Sequence, residues 1–310
     1  MRQSGIKFAF AAGVLGAAAL FAGGCGSSTL DGPCSLSDPC GDGEICDFTA
    51  EGGPVCVSTD GDIDGDGLAN GEDYCQHAPG GKYDEDKDGV GDDCDRCPIA
   101  LPRSTPDTDG DMVDAPCDPA PTEPGDAILF FDGFGSGLSA DWKPTTAAAW
   151  SAANGEVTVN LSAVTTQDFL QHNVIGKSNV AIETGYRVDR VENTATRHLV
   201  AIYANDPRPA GTSEVQCGVS RADSAAADLV VVQTNAGAMS MPTIDPALLT
   251  SKSYRAGAYV SGTRAGCSVI ADNTGLGTVQ AAITADDLSS IALTAQAVTV
   301  RFQYVIVVGH

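Results

Sequence analysis

The sequence predicts a mainly β protein: a C-terminal β-sandwich preceded by an irregular, stapled acidic region and a small cysteine-rich module. Three observations carry this. From Ala127 on, ten short β-type runs are separated by Gly, Asn, Asp and Ser turns, with no amphipathic helix of length among them. Between Asp60 and Asp126 lie 20 of the chain's 41 acids against four bases (Lys82, Lys87, Arg96 and Arg103), a local net of 4 − 20 = −16. Of the 11 cysteines, four fall between residues 34 and 56 and four more inside the acidic stretch. The formal net charge of −24 argues against nucleic acid as a partner, since a phosphate backbone needs a basic footprint. The hydrophobic content of 43% is too high for disorder throughout.

Residues 1–24 begin with a short basic stretch (Arg2, Lys7) and continue with an apolar core from Phe8 to Ala22, too short to span a bilayer comfortably and flanked as a secretory signal is. The tetrapeptide Ala22-Gly23-Gly24-Cys25 resembles the lipobox of bacterial lipoproteins, with Ala22 where a larger aliphatic residue is usual. That resemblance implies acylation of Cys25, which becomes the mature N-terminus, and a membrane partner held through a lipid anchor. Cysteine parity agrees: setting Cys25 aside from 11 leaves ten, enough for five disulfides. Gly26 follows, without the Asp that retains many lipoproteins in the inner membrane. The expected location is therefore the outer membrane or cell surface of a Gram-negative-type bacterium.

Residues 25–58 form the cysteine-rich module, with Cys34, Cys40, Cys46 and Cys56 paired among themselves. So short a segment cannot build a sufficient core and needs the staples. Four cysteines allow three connectivities, and the spacing does not choose between them.

Residues 59–119 repeat. A twelve-residue pattern starts at Asp62, Asp84 and Asp107. The second copy reads Asp84-x-Asp86-x-Asp88-Gly89-x-x-Asp92-x-x-Asp95, and the first places Asp62, Asp64, Asp66, Gly67, Asn70 and Asp73 at the same positions. The third has Asp107, Asp109, Asp111 and Asp118, but Met112 replaces the glycine and Asp114 arrives one place early. Alternate acids at positions 1, 3 and 5 let a curling loop aim three carboxylates at one centre, and Gly at position 6 permits the turn. Oxygens at positions 7, 9 and 12 complete the oxygen-rich shell that Ca²⁺ takes, whereas transition metals would call for His or thiolate. Two carboxylates ~5 Å apart repel by roughly 3 kcal/mol at an effective dielectric near 20, so such a loop cannot close without a cation. Several Ca²⁺ ions are therefore the expected cofactors.

EF-hand and dockerin loops are followed by a helix, which the Pro and Gly after Asp73 and Asp95 exclude. Gly89-Val90-Gly91-Asp92-Asp93-Cys94-Asp95-Arg96-Cys97-Pro98 closely resembles the thrombospondin type 3 repeat instead, in which acidic Ca²⁺ loops are strung together by disulfides. The resemblance covers about 60 residues. It implies metal ligation by Asp62, Asp64, Asp66, Asp84, Asp86, Asp88, Asp92, Asp95, Asp107, Asp109 and Asp111, with Asn70, Asp73 and Asp118 matching by position. It also implies the disulfides Cys75–Cys94 and Cys97–Cys117, each worth ~3 kcal/mol in the chain-entropy view.

A Pro-rich linker, 120–126, leads to the sandwich domain, 127–310. In its last run Val298, Val300, Phe302, Tyr304, Ile306 and Val308 fall on one face by period two. Cys217 and Cys267, the two cysteines left over, each sit in a strand run and are expected to pair. The opening Asp132-Gly133-Phe134, then Leu138-x-x-x-Trp142, then Trp150-x-x-x-Asn154-Gly155, and the closing Arg301–Val308 resemble the concanavalin A-like, laminin G-like jelly roll. In that fold Trp142 and Trp150 serve as core.

Some jelly rolls are glycoside hydrolases, whose two carboxylates flank the scissile bond. The nearest acids here, Glu183, Asp189 and Glu192, depart from that spacing. His77, His172, His198 and His310 are scattered, and no nucleophile motif accompanies them. The expectation is a calcium-binding, lipid-anchored envelope protein, not an enzyme, that mediates adhesion or binds a glycan or surface protein through its jelly roll, with the acidic repeats as a stalk. The alternatives are a non-binding structural envelope component and, further off, a glycoside hydrolase or lyase.

Overall fold

The computed structural model describes residues 34–310 apart from 36, 38–39, 102–105, 161–165, 175, 177, 193–196, 206–213, 222–228, 236, 243–249, 251 and 285–286. The signal segment and Cys25 lie outside the described residues.

The cysteine-rich module is one antiparallel hairpin, β1 (Glu44–Asp47) with β2 (Val55–Ser58), in which Cys46 faces Cys56 in register. Each strand is tied outward, Cys46 to Cys34 and Cys56 to Cys40. Buried Asp47 accepts hydrogen bonds from the Thr49 N–H and hydroxyl (both 2.8 Å) and contacts His77 Nε2 at 2.8 Å, which joins the module to the acidic segment. Between residues 59 and 126 the only regular element among the described residues is a 3-10 turn, Asn70–Glu72.

The sandwich comprises β3 (Ala127–Asp132), β4 (Lys143–Pro144), β5 (Trp150–Ala153), β6 (Glu156–Asn160), β7 (Asp168–Asn173), β8 (Val180–Val191), β9 (His198–Ala204) and β10 (Val215–Arg221). It continues with β11 (Leu229–Thr234), β12 (Gly237–Pro242), β13 (Ser253–Ser261), β14 (Arg264–Ala271), β15 (Thr274–Ala282), β16 (Ser290–Gln296) and β17 (Val298–Gly309). One antiparallel sheet has the order β12-β11-β10-β9-β16-β7-β4, and the other β15-β14-β13-β8-β17-β6-β5. β3 joins the second sheet by pairing with the C-terminal half of β17, on the edge where β6 pairs with its N-terminal half. The fold is a jelly-roll β-sandwich preceded by a disulfide-rich irregular region.

Alternation builds the core. Tyr254, Ala256, Ala258 and Val260 of β13 and Val230 and Val232 of β11 point inward while their neighbours are more exposed. Aromatic rings fill the centre: Tyr186 stacks on Tyr254 at 5.1 Å and Trp150 on Phe302 at 6.2 Å. Trp142 and Trp150 are buried, and their indole N–H groups donate to Asp132 and Asp168, each at 2.8 Å. The Cys217–Cys267 disulfide links β10 to β14 across the two sheets.

The single face expected for β17 is broken. Its register against β8 shifts between Phe302 and Tyr304. Val298, Val300 and Phe302 point into the core, but beyond the shift Val305 and Val307 do so, while Tyr304, Ile306 and Val308 turn to the outer face. A β-bulge adds one residue to one strand, and a one-residue slip exchanges the faces. The outward set is not exposed to water. Ile306 and Val308, with Ile128, Phe131 and Tyr304, pack against Val113, Ile99 and Cys117 of the acidic segment. That segment therefore lies on the outer face of the second sheet.

Candidate metal centres and an adjoining groove

Each acidic loop is drawn together by its own backbone. In the first, Asp62 Oδ1 accepts the N–H of Gly65 (2.7 Å), Asp62 Oδ2 that of Gly67 (3.2 Å), and Asp66 Oδ1 that of Leu68 (2.7 Å). In the second, Asp84 accepts from Lys87 (2.7 Å) and Gly89 (2.9 Å), and Asp88 from Val90 (2.9 Å). In the third, Asp107 accepts from Gly110 (2.7 Å) and Met112 (3.0 Å), and Asp111 from Val113 (3.0 Å). Positions 4 and 6 are left-handed in all three: φ is 80° and 99° at Gly65 and Gly67, 65° and 92° at Lys87 and Gly89, and 84° and 77° at Gly110 and Met112. Met112 thus adopts the turn of its glycine counterparts, at a steric cost of roughly 1 kcal/mol.

The outcome is three carboxylate triads, Asp62/Asp64/Asp66, Asp84/Asp86/Asp88 and Asp107/Asp109/Asp111, each offering oxygens within 4.8 Å of one another. In all three the position-three carboxylate has a buried oxygen with no hydrogen-bond partner: Asp64 Oδ2, Asp86 Oδ2 and both oxygens of Asp109. A desolvated carboxylate oxygen without a donor is expensive, and an unpartnered oxygen at the same loop position three times fits a cation held there. The donor set is all oxygen, which suits a hard divalent ion and not a thiophilic one. Cys34, Cys40 and Cys56 also cluster, but their sulfurs are committed to disulfides.

The remaining sequence-predicted ligands surround the triads without joining them. Burial raises the pKa of Asp73, helped by the charges of Asp64, Asp66 and Asp62. Burial pushes Asp95 up to about 7, with Asp88 and Asp86 adding repulsion, and Asp92 up to about 6, with Asp84 adding to it. Asp86 itself is pushed up to about 6 by burial and by Asp88. Asp118 reaches about 6 through burial and through Asp126 and Asp109. Asn70 is different: its Oδ1 accepts from the Ile63 N–H (3.1 Å) and its Nδ2 donates to the Ser58 carbonyl (2.8 Å), so the amide braces the loop. The Cys75–Cys94 and Cys97–Cys117 disulfides stitch each loop to the next.

Several participants escaped the sequence reading. Asp66 Oδ2 accepts the N–H of Gly80 (2.8 Å), and Asp111 Oδ2 those of Gly125 (3.1 Å) and Asp126 (2.7 Å). The N–H groups of Gly80 and Leu68 hold Asp66 below the usual carboxylate range. Asp111 is also low, because the N–H groups of Val113, Asp126 and Gly125 outweigh its desolvation. Both returns follow a Pro-Gly pair, Pro79-Gly80 and Pro124-Gly125, set 14 residues after position five, so this signal was in the repeat period. Asp126, placed in the linker, is buried and meets His310 at 3.2 Å.

Beside the third loop a groove of about 570 Å³ runs between residues 116–123 and the outer faces of β8, β13 and β17. The acids considered for catalysis are engaged: Glu183 accepts from the Tyr304 hydroxyl (2.7 Å) and faces Arg255 (3.5 Å), Asp189 is gripped by Arg301 (2.8 and 3.0 Å), and Glu192 pairs with Arg190 (2.8 Å). Among the described residues no helix is long and apolar enough to cross a membrane. Five disulfides mark an oxidising, extracytoplasmic setting.

No protein-family model and no curated protein matches the sequence. Among solved structures, the chain is similar to the CBM2 module of the Lactobacillus casei BL23 phage J-1 evolved Dit at 9% identity and TM-score 0.44, covering 59% of this chain and 95% of that one. It is also similar to a Bacillus licheniformis beta-glucanase at 8% and 0.41, covering 58% and 97%. A third is the carbohydrate binding module CBM66 from Bacillus subtilis, at 13% and 0.36, covering 53% and 92%. At these identities and TM-scores the likeness says nothing of ligand or activity.

Proposed function

We propose that this chain is a calcium-binding envelope protein, exported and lipid-anchored through Cys25 at the outer membrane, whose jelly roll serves adhesion by binding a glycan or surface protein. The repeats at 59–119 would hold several Ca²⁺ ions through the triads, with Asp73, Asp92, Asp95 and Asp118 completing the shells. The observation that carries the reading is the orphaned, buried carboxylate oxygen at position three of all three loops. Ca²⁺ suits such loops better than Mg²⁺ because it accepts many oxygens in flexible geometry, whereas Mg²⁺ demands a tight octahedron and keeps its waters. The metal's contribution is charge neutralisation, which lets the loops close and seat Val113 on the sheet.

Calorimetric titration of the chelated protein with Ca²⁺ and separately with Mg²⁺ tests this. Ca²⁺ is expected to bind with Kd of about 10⁻⁴–10⁻³ M, as in other extracellular modules, and Asp86→Asn should remove one site. Equal affinity for Mg²⁺, or no uptake of either ion, would count against the assignment. Anchoring has its own check: Cys25→Ser should release the protein from the membrane fraction.

A further inference from the structure

The groove beside the third loop has a floor built from missing side chains. Gly257 of β13 leaves a shallow notch: a Cβ there would sit 3.3 Å from Ser268 Oγ, a tight contact, and 3.9 Å from Glu183 Oε2, with the Ile182 carbonyl at 4.0 Å, so oxygens surround bare backbone. A Cβ on Gly266 of β14 would collide with the Tyr259 ring, so that ring lies down across the sheet and offers a half-buried aromatic plate at the groove. The opposite wall is the 116–123 segment, which brings Asp118 and Glu123. An aromatic plate beside a notch of hydroxyl and carboxylate oxygens suits a sugar, whose C–H face stacks while its hydroxyls donate. The groove's lining carries Asp118, Glu123 and Glu183 against one histidine, His310; Arg255, just outside the lining, is held by Glu183 at 3.5 Å, so the remaining charge disfavours anionic ligands.

We propose that this groove binds a neutral oligosaccharide, and that it exists only while the third acidic loop is closed on its cation. The proposal rests on the glycan-binding reading of the jelly roll and gives it a place: the seam between the sandwich and the repeats. The wall is held by Val113, Ile99 and Cys117 on Ile306 and Val308, and by the Asp111 contacts to Gly125 and Asp126. Without a bound cation, only Arg96, 3.5 Å from Asp107 and 3.8 Å from Asp114, opposes the mutual repulsion of Asp107, Asp109, Asp111 and Asp118, and the wall loses its position.

The test uses the full mature chain on an array of neutral, sulfated and uronate oligosaccharides, with a lysine-rich peptide alongside, in Ca²⁺ and in chelator. Expected is binding of a neutral oligosaccharide in Ca²⁺, lost in chelator and weakened at least tenfold by Tyr259→Ala and by Gly257→Val, each variant staying folded with Ca²⁺ uptake unchanged. Glycan binding insensitive to both variants would remove the groove while sparing the glycan reading. Glycan binding that survives chelation would overturn the metal dependence. Capture of only anionic glycans or the lysine-rich peptide would overturn the ligand class. No glycan binding by folded, Ca²⁺-loaded protein would overturn the proposal and the glycan reading together.

Discussion

Residues 127–310 exclude water with aromatic and aliphatic side chains, whereas residues 59–126 bury carboxylates. In the sandwich Tyr186, Tyr254, Phe302 and Leu170 are almost fully enclosed; in the acidic segment Asp73, Asp88, Asp114, Asp118 and Asp126 are. The first kind of burial is favourable by itself, at roughly 25 cal/mol per Å² of apolar surface removed from water. The second is unfavourable until a cation and backbone donors compensate it. The two regions therefore depend on different conditions: the sandwich on its apolar core, the acidic segment on metal, disulfides and a small apolar foothold on the sheet.

The largest expected effect comes from removing metal. In chelator, amide exchange should accelerate throughout 59–126 while β8, β13 and β17 keep their protection; loss of both together would erase the distinction. Next come two neighbouring residues that the bulge sends to opposite faces. Val305→Ala should cost about 2 kcal/mol of sandwich stability, read as a lower Tm. Ile306→Ala should leave the sandwich nearer its normal Tm and instead speed exchange around Val113. Exchanged outcomes would mean that β17 runs without the bulge.

Proton dependence gives a smaller effect. Asp86, Asp92, Asp95 and Asp118 have folded-state pKa values raised to between about 6 and about 7. A raised acid favours the folded state while protonated, and that stability is lost as pH rises from near 4 through the folded value. Chelated protein should thus open progressively between about pH 4 and 7, while Ca²⁺ affinity strengthens over the same interval. Chelated protein that tightens with rising pH would contradict this. Smallest is Met112→Gly, which relieves a left-handed methionine. Third-site Ca²⁺ affinity should rise up to about fivefold, for roughly 1 kcal/mol, and an unchanged titration would show that the turn carries no strain.

Much of this was legible in the sequence because its signals are local. The triads follow from the spacing of Asp62, Asp84 and Asp107, and the turn at position six from Gly67 and Gly89. Position four was missed because Lys87 occupies it in the second loop, and a lysine does not announce left-handed backbone. Strand β16, SIALTAQ, gives no period-two signal because it is buried on both faces. Trp142 and Trp150 were read as core, and their buried hydrogen bonds to Asp132 and Asp168 give the polar ends of both rings a partner inside it.

By itself the sequence determined the β class, the period of the acidic loops and the carboxylates that crowd each centre, since all of these depend on residues a few positions apart. Tertiary structure alone decided where the acidic segment lies. One bulge in β17 turns Ile306 and Val308 outward, they provide Val113 with a seat, and a groove opens between loop and sheet. A one-residue register shift leaves no mark in composition or spacing; it arises from how β17 pairs with β8, β3 and β6 at once.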